Sequence, residues 1–311
     1  MGSTRYITSM GELSRKDNSL CFRKDNKNVY IPIENTKEIY VLNEVSINSK
    51  LLDFLSKNHV IVHFFNYYEG YIGTFYPKDN YCSGKLLIKQ VHAYENNRLI
   101  IAKNIVRGIG DNIYEVLYHY YKHSKKEVKE TIDWIKSDFY RLLQAADDIK
   151  YVLAIEGDLW QKFYSMFTYI LPEDFVLSKR VKRPPDNPIN AMISFGNSLL
   201  YNKTISVIYQ THLDQRISFL HEPSEGRFSL SLDLCEVFKP IIVFRSIFNL
   251  VNNRKIQVEK HFDKKVNYCV LNEEGRNQFI QEFEERIETL FMHPCFYRVN
   301  YSKSYRTCLS V

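Results

Sequence analysis

Four residues carry the types and spacing that acid, base or metal chemistry needs: Glu156, His221, Asp233 and Glu236. Glu156 lies in YVLAIEGDLWQKFYSMF, with Val152, Leu153, Leu159, Trp160 and Phe163 three, four or seven residues away, so a helix turns its carboxylate toward the apolar face. A dry, unpaired carboxylate is costly, and this position requires a cation, a metal ion or a buried hydrogen-bond donor. An ordinary salt bridge meets the same requirement. His221 stands in a turn closed by Pro223 and Gly226, ahead of a helix that begins near Ser229 or Ser231. Asp233 and Glu236, three apart, share one face of that helix and repel unless a cation lies between them.

Taken singly, the histidine is as readily a loop or core residue, and the acidic pair a solvated face. Should the four converge, one imidazole and several carboxylate oxygens suit Mn²⁺ or Mg²⁺, and no thiolate-rich zinc site is offered. A divalent ion neutralises a phosphodiester oxygen and stabilises the charge that develops as water or a sugar hydroxyl attacks in line. Lys179, Arg180, Lys182, Arg183, Arg216, Arg227, Lys239 and Arg245 are candidates for holding backbone phosphates, the alternative for each being a solvated charge. Gly108-Ile109-Gly110 does not complete G-x-G-x-x-G, and no P-loop is present. Of 23 tyrosines and 20 phenylalanines, those in HFFNYY (63–68) and YHYY (118–121) suit stacking on unpaired bases or packing in a core.

The elements that must position these residues follow from periodicity. Short apolar runs separated by turn signals, TRYITS, SLCFRK, VYIPI, EIYVL, VIVHFF and YIGTFYP, predict strands paired as hairpins, with one helix over INSKLLDFLSKN capped by Ser46. Beyond Tyr76-Pro77 the period changes. Leu87, Val91 and Tyr94, then Leu99, Ala102, Ile105 and Val106, recur every three or four residues. The chain from about Ser83 to Leu290 reads helical, broken by a stretch from Leu171 to Pro188 that holds four of the nine prolines. The expectation is an α+β protein: a β-rich N-terminal domain over 1–79, a linker at 80–84, and a mainly α-helical C-terminal catalytic domain over 85–311.

Composition sets the outer bounds. The chain of 311 residues is 45% hydrophobic and 25% charged, with 11 glycines, which excludes collagen-like and disordered classes. No run of about 18 apolar residues occurs, and the start lacks an apolar leader core, so a cytoplasmic protein with no membrane partner is expected. Six scattered cysteines without a C-x-x-C pair read as reduced thiols. The net charge of +6 is mild, but residues 1–80 hold 10 basic and 9 acidic side chains, so nearly all the surplus lies in the remainder and favours an anionic partner there.

Three blocks, AIEGDLWQKFY, KRVKRPPDNPINAMISFGNSLLY and ISFLHEPSEGRFSLSLDLCEVFKPIIVFR, resemble, in order, the CRISPR-associated spacer-acquisition endonuclease, the integrase subunit. GELSRKDNSLCF, KEIYVLNEVSINSKLLDFLSKN and HFFNYYEGYIGTFYP resemble its amino-terminal part, so the similarity spans nearly the whole chain. The resemblance implies a β-rich domain used in homodimer contact and a helical domain that holds a divalent metal through Glu156, His221 and Glu236, with Asp233 either an auxiliary catalytic group or one that supports a ligand from behind. It further implies a small ferredoxin-like adaptation subunit as partner and insertion of short DNA spacers into a repeat array by metal-assisted transesterification, the DNA 3′ hydroxyl being the nucleophile. The family commonly continues past the equivalent of YSKSYRTC with a basic tail, whereas this sequence stops at Val311; weaker contacts with partner or DNA are the corresponding expectation. Two other functions share the same residues: a metal-dependent repair nuclease for branched DNA, and a nucleic-acid-binding scaffold whose acidic cluster is structural.

Overall fold

The computed structural model describes residues 3–25, 27–66, 70–78, 83–182, 184–265, 268–293 and 296–300. The amino-terminal part comprises β1 (Ser3–Ile7), β2 (Gly11–Lys16), β3 (Ser19–Lys24), β4 (Lys27–Pro32), β5 (Thr36–Val41), β6 (Val45–Ser46), α1 (Ser49–Lys57), β7 (Ile61–Phe65) and β8 (Tyr71–Phe75). They form two four-stranded sheets, ordered β1-β5-β7-β8 and β4-β3-β2-β6. Hairpins join β2 to β3, β3 to β4 and β7 to β8. The other pairings, β1 with β5, β5 with β7 and β2 with β6, are parallel rather than hairpins. Parallel neighbours need a crossover, supplied by the second sheet between β1 and β5 and by α1 between β5 and β7. Asn48, not Ser46, caps α1, accepting the Leu51 N–H at 2.9 Å. A small core of Leu13, Leu20, Ile39, Leu51, Phe54 and Val62 is buried among these elements.

The remainder is mainly helical: α2 (Gly84–Lys122), α3 (Lys129–Trp134), α4 (Tyr140–Ala145), α5 (Ile149–Ser165), α6 (Phe167–Ile170), α7 (Pro188–Tyr209), α8 (Ser229–Phe238), α9 (Arg245–Asn252), α10 (Val258–His261) and α11 (Glu273–Glu288). The fold is therefore α+β, a β-rich N-terminal part followed by a mainly α-helical one. One short strand pair, β9 (Phe262–Lys265) with β10 (Tyr268–Leu271), interrupts the stretch expected to be helical, and a second, β11 (Leu290–His293) with β12 (Phe296–Asn300), follows its end. In the first pair Cys269, Val270 and Leu271 are all buried, and a continuous apolar run that short does not distinguish strand from helix. The linker expected at 80–84 falls partly on residues 80–82, outside the described residues.

Helix α2 is the axis of the helical part. Ala102, Ile105, Val106, Ile109, Ile113 and Val116 are buried along one face, and at Gly110 a Cβ would stand 2.3 Å from the Phe139 ring, so the ring packs directly on the helix backbone only because that residue has no side chain. Its first turns reverse the sequence expectation. Leu87 and Val91 are 37% and 40% exposed, and Gln90 is buried in their place. Between α8 and α9 the chain makes a π-helical turn over Pro240–Phe244. Pro240 has no N–H to offer the Glu236 carbonyl one turn back, and Phe244 N–H closes the wider turn on Lys239 O at 3.0 Å. Among the described residues no helix is long and apolar enough to cross a membrane.

Candidate active site

Glu156 sits midway along α5, which Asp148 caps by accepting the Tyr151 N–H at 2.7 Å. One turn on, Trp160 donates its indole N–H to Glu156 Oε1 at 2.7 Å. The indole is fixed in turn against Phe163, Tyr164 and Phe244, so the carboxylate leans on a rigid aromatic block. Burial pushes the Glu156 carboxyl above its ordinary pKa, and the neighbouring charge of Glu236 pushes it further. The i, i+4 spacing of Glu156 and Trp160 was legible in the sequence, but the pair was read only as part of an apolar stripe.

His221 stands in the segment between α7 and α8, half-buried. Its Nδ1 lies 2.8 Å from Asp233 Oδ1. The same carboxylate, itself fully buried, accepts the N–H groups of Phe219 and Leu220 on Oδ2 at 2.7 and 2.8 Å and that of His221 on Oδ1 at 3.0 Å. Four donors occupy its two oxygens. Asp233 thereby shapes the turn and orients the imidazole. With Nδ1 donating to Asp233, the neutral ring carries its lone pair on Nε2. Burial alone would lower the His221 pKa; the hydrogen bond and charge of Asp233, helped by Glu236 and Glu156, outweigh it and raise it.

The turn is also held from the other side, by α2. Gln90 donates to the carbonyls of Asp214 and Ile217 at 2.9 and 3.1 Å and accepts the Asp214 N–H at 2.9 Å. Arg98 donates to Phe219 O at 3.0 Å, pairs with Glu222 at 2.8 Å, and donates to the Tyr94 hydroxyl at 2.9 Å. Neither residue was visible as a site residue in the sequence, because each lies more than 100 positions from the turn it holds.

Glu236, on α8 and 8% exposed, pairs with Lys239 one turn on. Burial works against the Lys239 charge, and Glu236 overcomes it, holding the ammonium group above the ordinary lysine range. Glu156, His221 and Glu236 thus lie within electrostatic reach of one another, but each is engaged elsewhere, with Trp160, Asp233 and Lys239. Among the described residues no three His, Cys, Asp or Glu side chains stand close enough to hold an ion as they are. The donor set nevertheless fits a hard divalent cation. It combines carboxylate oxygens that repel across a gap with an imidazole whose far nitrogen is oriented by a buried aspartate.

The basic residues divide. Lys179 and Lys182 are exposed. Arg180 turns inward to Asn190 Oδ1 and Ser194 Oγ, both at 3.0 Å, so its guanidinium ties the proline-bearing segment to α7. Lys239 is taken by Glu236. Arg245 reaches Glu115 O at 3.4 Å. Arg183 lies outside the described residues. Arg216, which pairs with Asp214 at 2.6 Å, and Arg227 help to line a cavity of about 680 Å³ beside the His221 turn, together with Tyr71, Tyr76, Tyr201 and Phe228.

Comparison with known proteins gives this arrangement a lineage. A family model for CRISPR associated protein Cas1 matches residues 5–285. The CRISPR-associated endonuclease Cas1 2 of Thermodesulfovibrio yellowstonii is 44% identical over 296 residues, covering 94% of this chain and 89% of its own. A CAS1 protein structure from Thermotoga maritima superposes with a TM-score of 0.88 at 38% identity, covering 99% of this chain and 94% of that one. A casposase bound to integration product shares the fold alone, with a TM-score of 0.82 at 19% identity over 98% of this chain and 87% of its own. The chain belongs to the Cas1 family of CRISPR-associated proteins.

Proposed function

We propose that this protein is a divalent-metal-dependent DNA endonuclease and integrase that joins the 3′ hydroxyl of short DNA segments to a phosphodiester of a CRISPR repeat array. The observation that carries the reading is the Glu156–His221–Glu236 neighbourhood backed by Asp233, in a chain 44% identical to a protein named as a Cas1 endonuclease. Glu156, His221 and Glu236 would hold Mn²⁺ or Mg²⁺, which supplies neutralisation of a phosphodiester oxygen and stabilisation of the charge built up during displacement. Asp233 keeps the imidazole donating through Nδ1, so that Nε2 is the atom presented. Trp160 holds the Glu156 carboxylate in place. Lys179 and Lys182 supply backbone-phosphate contacts, and Arg216 and Arg227 border a cleft lined by aromatic rings that suits a single strand.

The reading includes a homodimer formed through the β-rich part and a small ferredoxin-like adaptation subunit. The dimer is supported by the edge strand β4, on which Val29 and Tyr30 are 56% and 51% exposed. A reducing cytoplasm accords with Cys21, Cys235 and Cys269 as buried free thiols. Glu156→Ala and His221→Ala should each abolish Mn²⁺-dependent joining of a short duplex to a repeat-bearing target while circular dichroism stays native. Joining at the wild-type rate in both variants would refute the assignment. Preference for branched junctions over a repeat target would move it to a repair nuclease. The Glu236–Lys239 pair favours one second reading, a nucleic-acid-binding scaffold with a structural acidic cluster, in which Mn²⁺ leaves both binding and thermal stability unchanged.

A further inference from the structure

We infer that Gln90 and Arg98 of α2 are positioning residues for His221, acting on the backbone of the turn rather than on the ring; the inference rests on the proposed role of His221. Gln90, Tyr94 and Arg98 are four residues apart and therefore share one face of α2. Together they grip the turn at points before and after the histidine: Asp214, Ile217 and Phe219 on one side, Glu222 on the other. Every polar group of the Gln90 amide is used on that backbone. The guanidinium of Arg98 is itself braced, lying 4.8 Å over the Tyr94 ring, whose hydroxyl donates to the second Glu222 oxygen at 3.2 Å.

Asp233 settles the tilt and tautomer of the imidazole, but it does so within the turn and the helix that follows it. Where the turn sits relative to the two glutamates is a separate requirement. Helix α2 meets it, because α2 packs against α5, which carries Glu156, and against α8, which carries Glu236. Helix α2 thus touches both glutamate helices and the histidine turn, and ties the three donors to a common frame of the kind ion binding demands. The Glu222 side of the ion pair is 67% exposed and adds little to folding, whereas the Arg98 side chain, 17% exposed, is held against the backbone of the turn.

The test uses the full chain, Mn²⁺ alone as probe, and ¹⁵N-labelled histidine. Arg98→Met should weaken Mn²⁺ binding about ten-fold, the lower end of the effect of removing a group that orients a ligand. It should also shift or broaden the His221 Nδ1–H resonance. Arg98→Lys keeps the charge but cannot span Phe219 O and Glu222 together, and it should resemble the methionine variant. Lys103→Met, on α2 but bonded to Gln144 O instead, should leave both readouts at wild-type values. Unchanged Mn²⁺ affinity together with an unchanged His221 signal in Arg98→Met would overturn the inference. If the wild-type protein itself fails to bind Mn²⁺, the proposed function falls and the His221 resonance alone decides whether α2 holds the turn. Should Arg98→Met not fold, Glu222→Gln, on the exposed side of the same pair, carries the same expectations.

Discussion

At the scale of single residues, Glu156 is placed against its own stability. It is raised in pKa by burial and by Glu236, and its carboxylate is retained where a neutral amide would cost less. Glu156→Gln keeps an oxygen for the Trp160 N–H and removes the repulsion. The variant should be more stable than the wild type by about 1 kcal/mol, while Mn²⁺ no longer raises its melting temperature; thermal unfolding with EDTA and with Mn²⁺ checks both. The roles of Asp233 and Arg180 show where residue types mislead. Spacing places Asp233 and Glu236 on one helix face, yet Asp233 is spent on three backbone N–H groups and an imidazole. Arg180 lies among charged neighbours in sequence, yet Asn190 and Ser194, within 14 positions of it, receive its guanidinium. Spacing reveals which residues can face one another, whereas the donors that claim an oxygen come from elsewhere in the fold.

At the scale of elements, the informative junction is where the first sheet meets α7. Lys203 Nζ reaches Glu38 at 2.7 Å and Thr4 Oγ1 at 2.8 Å, and His63 bridges Ser206 at 2.7 Å and Thr74 at 2.8 Å. Burial alone would raise the Glu38 carboxyl, but the Lys203 ammonium holds it down to about 2; burial keeps the His63 imidazole neutral to about 4. Both shifts act in one direction. The unfolded chain takes up a proton on His63 below about 6.5 and on Glu38 below about 4.5, while the folded protein resists both, so stability falls as pH falls. His63 accounts for the window from 6.5 to 4 and Glu38 for that from 4.5 toward 2. Between pH 7 and pH 5 the His63 contribution amounts to about 2 kcal/mol, and His63→Gln should flatten that part of the urea-unfolding profile. An unchanged slope would place the titrating group elsewhere. Sequence periodicity identified six of the eight strands described in the amino-terminal part, because their apolar runs are strong. It missed β2, whose GELSRK carries only one buried apolar side chain, and the parallel partners, which are set by crossovers and not by any local signal.

At the scale of the whole molecule, two cores are joined by that polar junction and by Tyr40, Leu42 and Phe65, which belong to the core of the helices rather than to that of the sheets. The surplus of positive charge lies outside the first 80 residues, with the candidate site. Because α5, the His221 turn and α8 are assembled around α2, the candidate site exists only in the complete helical part. Its three donors come from segments up to 80 positions apart. The central claim is that these donors share one cation, for which Lys239 must release Glu236. Anomalous diffraction from crystals soaked in Mn²⁺ tests it directly. The account predicts a single strong peak bounded by Glu156, His221 Nε2 and Glu236, with the Lys239 ammonium displaced. An ion bound elsewhere, or no ion with Lys239 still on Glu236, would contradict it.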